Sequence, residues 1–311
     1  MALTINTNMA SLQAQHALTN STNSLNQSIK RMTTGYKINS AKDDAAGLAV
    51  SQKMQVKLSS VSVAESNVQL GSSMLETIEG NYNVIQEHLQ RVRDLTEQAA
   101  NGTYASDSLH ALKAEISQRL DEITRVANNT EYNGLYLLNG DFGEGEKNGV
   151  DIQVGITSST NSVIHLDGSL FNSIESSTLI YKATGIKNDD GDAVTPPTTQ
   201  DEFAATCAGL GTASGLEGTK GANQMLAVID NAIADITERT TLLGATQNRL
   251  ASAADALQVQ SDNLTSSIST VKDADIAAES SSFISAQILQ QASASLLSTA
   301  NQTPSIALNL I

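Results

Sequence analysis

VSVAESNVQLGSSMLETIEGNYNVIQEHLQRV, Val61 to Val92, places an apolar or small residue at Val61, Ala64, Val68, Gly71, Leu75, Ile78, Tyr82, Ile85, Leu89 and Val92. The steps alternate between three and four residues without a break, which is the spacing of a coiled-coil seam. A second seam lies far downstream, at Leu226, Ile229, Ile233, Ile236, Thr240, Leu243, Gln247, Leu250, Ala254, Leu257, Ser261, Leu264, Ile268 and Val271. At about 1.5 Å per residue that segment would be roughly 70 Å long, and such a helix is held by partners along its length rather than by propensity. A shorter pattern puts Leu109, Leu112, Ile116, Leu120, Ile123 and Ala127 on one face, with a cap expected at Ser106 or Asp107. Together these segments predict a bundle, and the chain between them is an excursion from it.

Upstream, NSAKDDAAGLA (Asn39–Ala49) carries a capping box at Ser40 to Asp43, so a helix is expected to start at Ser40, with Gly35 stopping the one before it. The excursion changes period. Asn133-Gly134 and Asn139-Gly140 are hairpin-type turn signals around Leu135, Tyr136, Leu137 and Leu138. Val150, Ile152, Val154 and Ile156 alternate as a half-buried strand, with Val163, Ile164 and Leu166 as its neighbour. Beyond about Ser176 the pattern loosens into KNDDGDAVTPPTTQ and GLGTASGLEGTKG, rich in turn formers. The expected fold class is mainly α: a long coiled-coil-like helical bundle formed by the N- and C-terminal segments, with a small β-hairpin region and a short variable outer domain. The expected domains are 1–42 with 272–311 (terminal coiled coil), 43–175 with 221–271 (helical bundle with β-hairpin), and 176–220 (small outer domain or loop).

Composition agrees with rods. Over 311 residues aromatics are 3% with no Trp and three Pro, while Ala, Ser, Thr, Asn, Gln and Leu abound, which suits thin helix packing better than a thick core. A formal net charge of -15 argues against nucleic acid or an anionic membrane surface as partner. The single cysteine, Cys207, closes no disulfide within the chain, and no Cys/His cluster suggests zinc. MALTINTNMASLQAQ lacks a basic first region and a continuous apolar core, so no Sec-type signal peptide is expected; nor is a membrane span, since no 18-residue apolar run occurs.

No Lys, Arg, Asp or Glu occurs from Met1 to Ile29 or from Ser280 to Ile311, yet both ends are amphipathic. Leu18, Leu25, Ile29 and Met32 carry the N-terminal stripe. Ile284, Ile288, Ala292 and Leu296 repeat every four residues, and Phe283, Leu289 and Leu297 widen that stripe. A solvent-facing helix is usually charged on its outer side, so these surfaces are expected to pack against each other and against further copies of the chain. Burying one Leu or Ile stabilises by roughly 1.5 to 3 kcal/mol, a modest gain against ordering about thirty residues. Ends weakly ordered alone and ordered in an assembly are the expectation, with disordered tails the bland alternative.

These residues resemble bacterial flagellin. The resemblance covers Met1 to about Phe171 and about Leu226 to Ile311, and rests on NSAKDDAAGLAVS, QRVRDLTEQAANGTY, AEISQRLDEI, YNGLYLLNG, LGATQNRL and AQILQQA, in that order. It implies a hairpin-shaped chain whose terminal helices pair as an inner layer of a helical homopolymer, the motility filament, with subunits exported by the flagellar type III machinery. It further implies filament cap and hook-filament junction proteins as partners, an export chaperone at the C-terminal segment, and host Toll-like receptor 5 as a ligand-sensing partner. For that receptor the matching positions are Arg91 as a cationic donor and Leu95 as an apolar plug, both in QRVRDL, and Glu115 in AEISQRL as an ionic partner; surface charge or seam packing is the competing reading of each. MTTGYKINS replaces the commoner LSSGLRINS, Ser285 stands where a basic residue often precedes AQIL, TPSIALNLI is divergent and Cys207 is atypical.

Catalytic motifs are not expected. His16, His88, His110 and His165 are isolated, without an HExxH pair. Asp189, Asp190 and Asp192 around Gly191 lack the distal Glu of an EF-hand and read as a solvated turn. Gly209-Leu210-Gly211 with Ser214 forms neither a dinucleotide fingerprint nor GxSxG. The reading is a structural filament subunit without cofactor. Its rivals are a hook-filament junction protein, against which AQILQQA and QRVRDL weigh, and an enzyme displayed on the filament.

Overall fold

The computed structural model describes residues 8–101, 103–143, 149–157, 159–174 and 216–308. The chain forms two compact units, one from Met1–Ser60 with Gln260–Ile311 and one from Val61–Val259. Their boundaries fall inside helices, not at the loops near residues 42 and 272 where the sequence suggested them, because the apolar seam that organises the second unit begins only at Val61. Helices α1 (Met9–Thr34), α2 (Ala45–Ala100), α3 (Ser106–Asn129), α4 (Leu216–Lys272) and α5 (Ile276–Leu308) carry most of the described chain. Residues 176–215 of the expected outer domain, with Cys207, the Asp189–Asp192 turn and Ser214, lie outside the described residues, while its last positions, 216–220, are the start of α4.

Local chemistry sets the helix ends. Gly35 stops α1 with φ 75°, its amide bonded to the Arg31 carbonyl at 2.8 Å. The capping box forms only in half. The Asp43 carboxylate accepts from the amides of Asn39 and Ser40 and from the Ser40 hydroxyl, which holds it below the usual carboxylate range, the hydroxyl bond first among the causes. Ser40 thereby closes a separate turn rather than a helix start. Asp44 is the cap instead, accepting the Gly47 amide at 2.9 Å, and α2 begins at Ala45. Likewise α3 starts at Ser106 after Ala105, without a side-chain cap bond.

In the Val61–Val259 unit every seam position from Val61 to Val92 is buried. α3 covers this seam with Ile116, Leu120, Ile123 and Ala127. The buried face of α4 departs from the expected one. Ile229, Ile236, Leu243, Leu250 and Leu257 are buried as predicted, but the positions between them are Ala232, Arg239 and Thr246 rather than Ile233, Thr240 and Gln247, which are half-buried. A stripe of one apolar residue per heptad can be flanked on either side, and the polar Arg239 and Thr246 disguised the side that packs. Gln247 donates to Glu79 at 2.8 Å and Arg93 meets Asp230 at 2.7 Å, so α2 and α4 run antiparallel.

The excursion forms two hairpins. β1 (Glu131–Tyr132) pairs with β2 (Leu135–Tyr136) through a tight turn with positive φ at Asn133 (51°) and Gly134 (81°), the signature of a type I′ turn. Asn139-Gly140 makes no hairpin; Asn139 instead accepts the Asp141 amide in a local turn. β3 (Val150–Gln153) pairs antiparallel with β4 (Val163–Leu166), and stops short of Ile156 because the amides of Val154 and Gly155 both turn to the Ser162 carbonyl. Ile152 seats against Gly71 of α2, where a Cβ would collide with its terminal methyl.

The segment after β4 is pinned by a buried polar node. Tyr82 of α2 donates its hydroxyl to the Leu170 carbonyl at 2.6 Å, while Arg239 of α4 donates to the Asn172 carbonyl at 2.9 Å and pairs with Asp235 at 2.7 Å. Arg239→Ala should cost about 3 kcal/mol, since it leaves the carboxylate and a carbonyl without their donor; a urea midpoint unchanged from wild type would contradict this. The Tyr82 phenol is pushed up to about 12, first by burial, with the Arg239 cation pulling the other way. Its folded value lies above the ordinary 10.0, so its contribution is whole below about pH 10 and is lost as pH rises through about 12. Tyr82→Phe is expected to flatten the alkaline loss of stability relative to wild type, measured as urea midpoints against pH.

Candidate assembly interface

In the terminal unit α1 and α5 pack as an antiparallel pair. The Asn8 amide donates to the Ala300 carbonyl (2.8 Å) and the Ser11 hydroxyl to Asn301 (2.7 Å); further along, Gln290 donates to Thr22 (3.1 Å) and Arg31 meets Glu279 (3.5 Å). The connections beside them are laced together. Tyr36 and Asp273 form a β-bridge, the Lys37 amide donates to the Lys272 carbonyl and the Ala274 amide to the Gly35 carbonyl, each at 2.8 Å, and the Lys272 ammonium sits 4.0 Å over the Tyr36 ring. Asp275 caps α5 by accepting the amides of Ala277 and Ala278.

The shared face follows a three-four spacing on both helices. On α1 it runs through Ser11, Ala14, Leu18, Ser21, Leu25, Ser28 and Met32; on α5 through Glu279, Phe283, Ala286, Gln290, Ser293 and Leu297. The fully buried members are Ala14, Ser28, Ala286 and Ser293, while Leu18, Leu25, Met32, Phe283 and Leu297 are half-buried. Small side chains let two helices approach closely but remove little apolar area from water, so the pairing is a light one.

The sequence grouped ten residues in two terminal stripes expected to pack against each other and against further copies, and the structure divides them. Leu18, Leu25, Met32, Phe283 and Leu297 flank the α1–α5 contact. Ile29, Ile284, Ile288, Leu289 and Leu296 point away from it, with Ile288 60% and Leu296 64% exposed. The four-residue repeat Ile284, Ile288, Ala292, Leu296 is therefore not the face that meets α1. The most buried positions of the pairing face escaped notice because they are Ala and Ser, which register weakly in any hydrophobic pattern. Met9 and Leu12 add further exposed apolar surface on α1.

The residues singled out for receptor contact are also separated. Arg91 and Glu115 face each other across α2 and α3 at 3.0 Å, both more than a third exposed. Leu95 is 1% exposed and belongs to the bundle core, so the role of apolar plug on a free surface is withdrawn. Its i, i+4 spacing from Arg91 aligns the two only roughly, and the fourth residue on falls on the inward side of the stripe. Among the described residues there is no group of three His, Cys, Asp or Glu placed to hold a metal, and no helix long and apolar enough to cross a membrane.

A terminal helix pair with its large apolar side chains turned outward, in a chain otherwise built from long helices, defines a helical subunit that associates with copies of itself. The chain belongs to the bacterial flagellin family, a family of structural filament proteins and not of enzymes: the bacterial flagellin N-terminal helical region matches residues 5–142 and the C-terminal helical region residues 226–311. It is 32% identical to polar flagellin F of Vibrio parahaemolyticus and 33% identical to flagellin D of Vibrio cholerae, each over the whole of both chains. It is 31% identical to the flagellar filament 30.7 kDa core protein of Treponema maltophilum, over 96% of this chain and 95% of that one. The fold is shared with a solved structure described as a flagellar hook-associated protein of Vibrio parahaemolyticus, with a TM-score of 0.58, 16% identity, and coverage of 74% of this chain and all of that one. The protein has a structural role in the flagellar filament.

Ala286→Leu tests the pairing face. The larger side chain should force α5 from α1 at a cost of about 1 to 3 kcal/mol, read as a first loss of helical circular dichroism at lower temperature with the main transition unmoved. A melting curve identical to wild type would contradict this assignment.

Proposed function

We propose that the chain is the subunit of an extracellular helical homopolymer, exported through the flagellar type III apparatus and turned as the propeller of swimming motility. The observation that carries this reading is the exposure of Ile284, Ile288, Leu289 and Leu296 on α5 and of Ile29 on α1. Each of these side chains stays in water in the single chain and gains by burial against another copy. The family supports self-association; export, cap and hook-filament junction proteins, and a chaperone for the C-terminal segment are the partners that follow from it. The end helices are taken to gain most of their stability in the polymer, because their pairing face is built of small residues.

Removing residues 1–30 or 280–311 is expected to leave a folded bundle that stays in the supernatant under conditions where the full chain sediments as filaments. Normal filaments from either truncated chain would reject the reading. A finer test keeps the helix whole. Ile288→Ser should leave the monomer's circular dichroism unchanged and forfeit about 2 kcal/mol per contact, raising the critical concentration for polymerisation roughly 30-fold.

A second role, recognition by Toll-like receptor 5, is favoured by the exposed Arg91–Glu115 pair, with Leu95 acting through packing beneath it. Arg91→Ala is expected to move the dose-response of receptor reporter cells to higher monomer concentration. An unchanged curve would remove Arg91 from that surface.

A further inference from the structure

The chain contains four Asn-Gly pairs, beginning at Asn101, Asn133, Asn139 and Asn148. Such pairs are open to internal attack, because the amide nitrogen of a glycine, with no Cβ beside it, reaches the preceding side-chain amide most easily. The fold treats them unequally. Asn101 has its side-chain oxygen bonded to the Thr103 amide at 3.3 Å. Asn139 is held at both ends: its oxygen accepts the Asp141 amide at 3.0 Å and its nitrogen donates to the Asp141 carboxylate at 2.8 Å. A Cβ on Gly140 would stand 3.1 Å from the Ser173 side chain, so that pair is also hemmed in. Asn148 lies outside the described residues.

Asn133 differs on each count. It is exposed at the tip of the β1–β2 turn, and its side chain makes no hydrogen bond among the described residues. No atom lies within 4 Å of the place a Cβ on Gly134 would take. The Gly134 amide donates to Oε1 of Glu131 at 3.1 Å, within the reach a general base needs for the proton it removes. The ladder behind the turn is two residue pairs long, so swinging the Asn133 side chain toward the Gly134 nitrogen displaces no long sheet. A nucleophile with a base in place thus sits beside an unrestrained electrophile.

We propose that Asn133 is a site of self-modification, at which Glu131 promotes loss of the side-chain amide nitrogen by attack of the Gly134 amide. The Gly134 nitrogen bonds to Cγ of Asn133 while its proton passes to Glu131. That proton is returned to the departing side-chain nitrogen, which leaves as ammonia. The five-membered imide then takes up water at one of its two carbonyls, and the ring C–N bond there breaks. Opening at Cγ gives aspartate; opening at the main-chain carbonyl gives isoaspartate, with the chain routed through the former side chain. Water is the co-reactant and nothing is oxidised. Either product adds a carboxylate, and isoaspartate lengthens a two-residue turn by one backbone atom, which shifts Tyr132 against Leu135.

The test ages the full-length monomer in warm neutral buffer, folded and in urea. Each Asn-Gly pair is followed by peptide mass spectrometry, with isoaspartyl methyltransferase marking isoaspartate. In the folded chain Asn133 is expected to convert several-fold faster than Asn101 and Asn139; in urea the three should converge. Glu131→Gln keeps an acceptor for the Gly134 amide but no base, so it should slow Asn133 several-fold and leave Asn139 at its wild-type rate. Circular dichroism checks that the variant is folded, and the wild-type comparison of folded against urea decides the site independently of it. The proposal is overturned if Asn101 or Asn139 converts as fast as Asn133 in the folded chain, if the preference for Asn133 persists in urea, or if folded Glu131→Gln leaves the Asn133 rate unchanged.

Discussion

Helices of 56 and 57 residues are not sustained by their backbone hydrogen bonds, which exchange for bonds to water at little net gain. They persist where one face is taken out of water along its length, and that requirement governs what the rest of the chain does. In the Val61–Val259 unit the face is apolar, and the surrounding chain is arranged to cover it: α3 along one side, the hairpins and the buried Leu137 and Leu138 where α3 ends. Even Ile152 finds its place by entering the notch left by Gly71. Burial of Leu, Ile and Val is the main stabilising contribution in this unit.

The terminal unit obeys the same geometry with different side chains. Its three-four face is filled by Ala and Ser at the buried positions, so α1 and α5 come close but gain little from leaving water. Leu18, Leu25, Met32, Phe283 and Leu297 are half-buried at its margins, while Ile29, Ile284, Ile288, Leu289 and Leu296 stand in solvent. Lacing of the two connections, through the Tyr36–Asp273 bridge and its neighbouring bonds, keeps the pair in register despite that light packing. A surface so divided suits a subunit that coheres with copies of itself.

Polar groups are used sparingly and locally. Arg239, Asp235 and Tyr82 concentrate donors where the segment after β4 would otherwise bury the carbonyls of Leu170 and Asn172 unpaired, at a cost larger than the bonds themselves are worth. The ion pairs on the outer faces of α2 and α3 are of the opposite kind. They are exposed and contribute little to stability.

Much of this architecture was readable from side-chain spacing. The unbroken seam from Val61 to Val92, the stop at Gly35, the Asn133-Gly134 turn and the pairing of β3 with β4 each depend on residues close in sequence, whose preferences act wherever the segment finds itself. The motifs of the two ends were enough to fix the family. Spacing did not show which flank of the α4 stripe packs, because Arg239 and Thr246 look like solvent-facing residues until their partners arrive from α2 and the segment after β4. Nor did it separate the inward from the outward side of the terminal helices, since Ala14, Ser28, Ala286 and Ser293 carry almost no hydrophobic signal. Leu95 and the start of α2 were misjudged for a related reason: burial and capping are settled by what arrives from elsewhere in the chain. Periodicity is a property of one segment, and the choice between two faces of a helix is made by the neighbour that covers it.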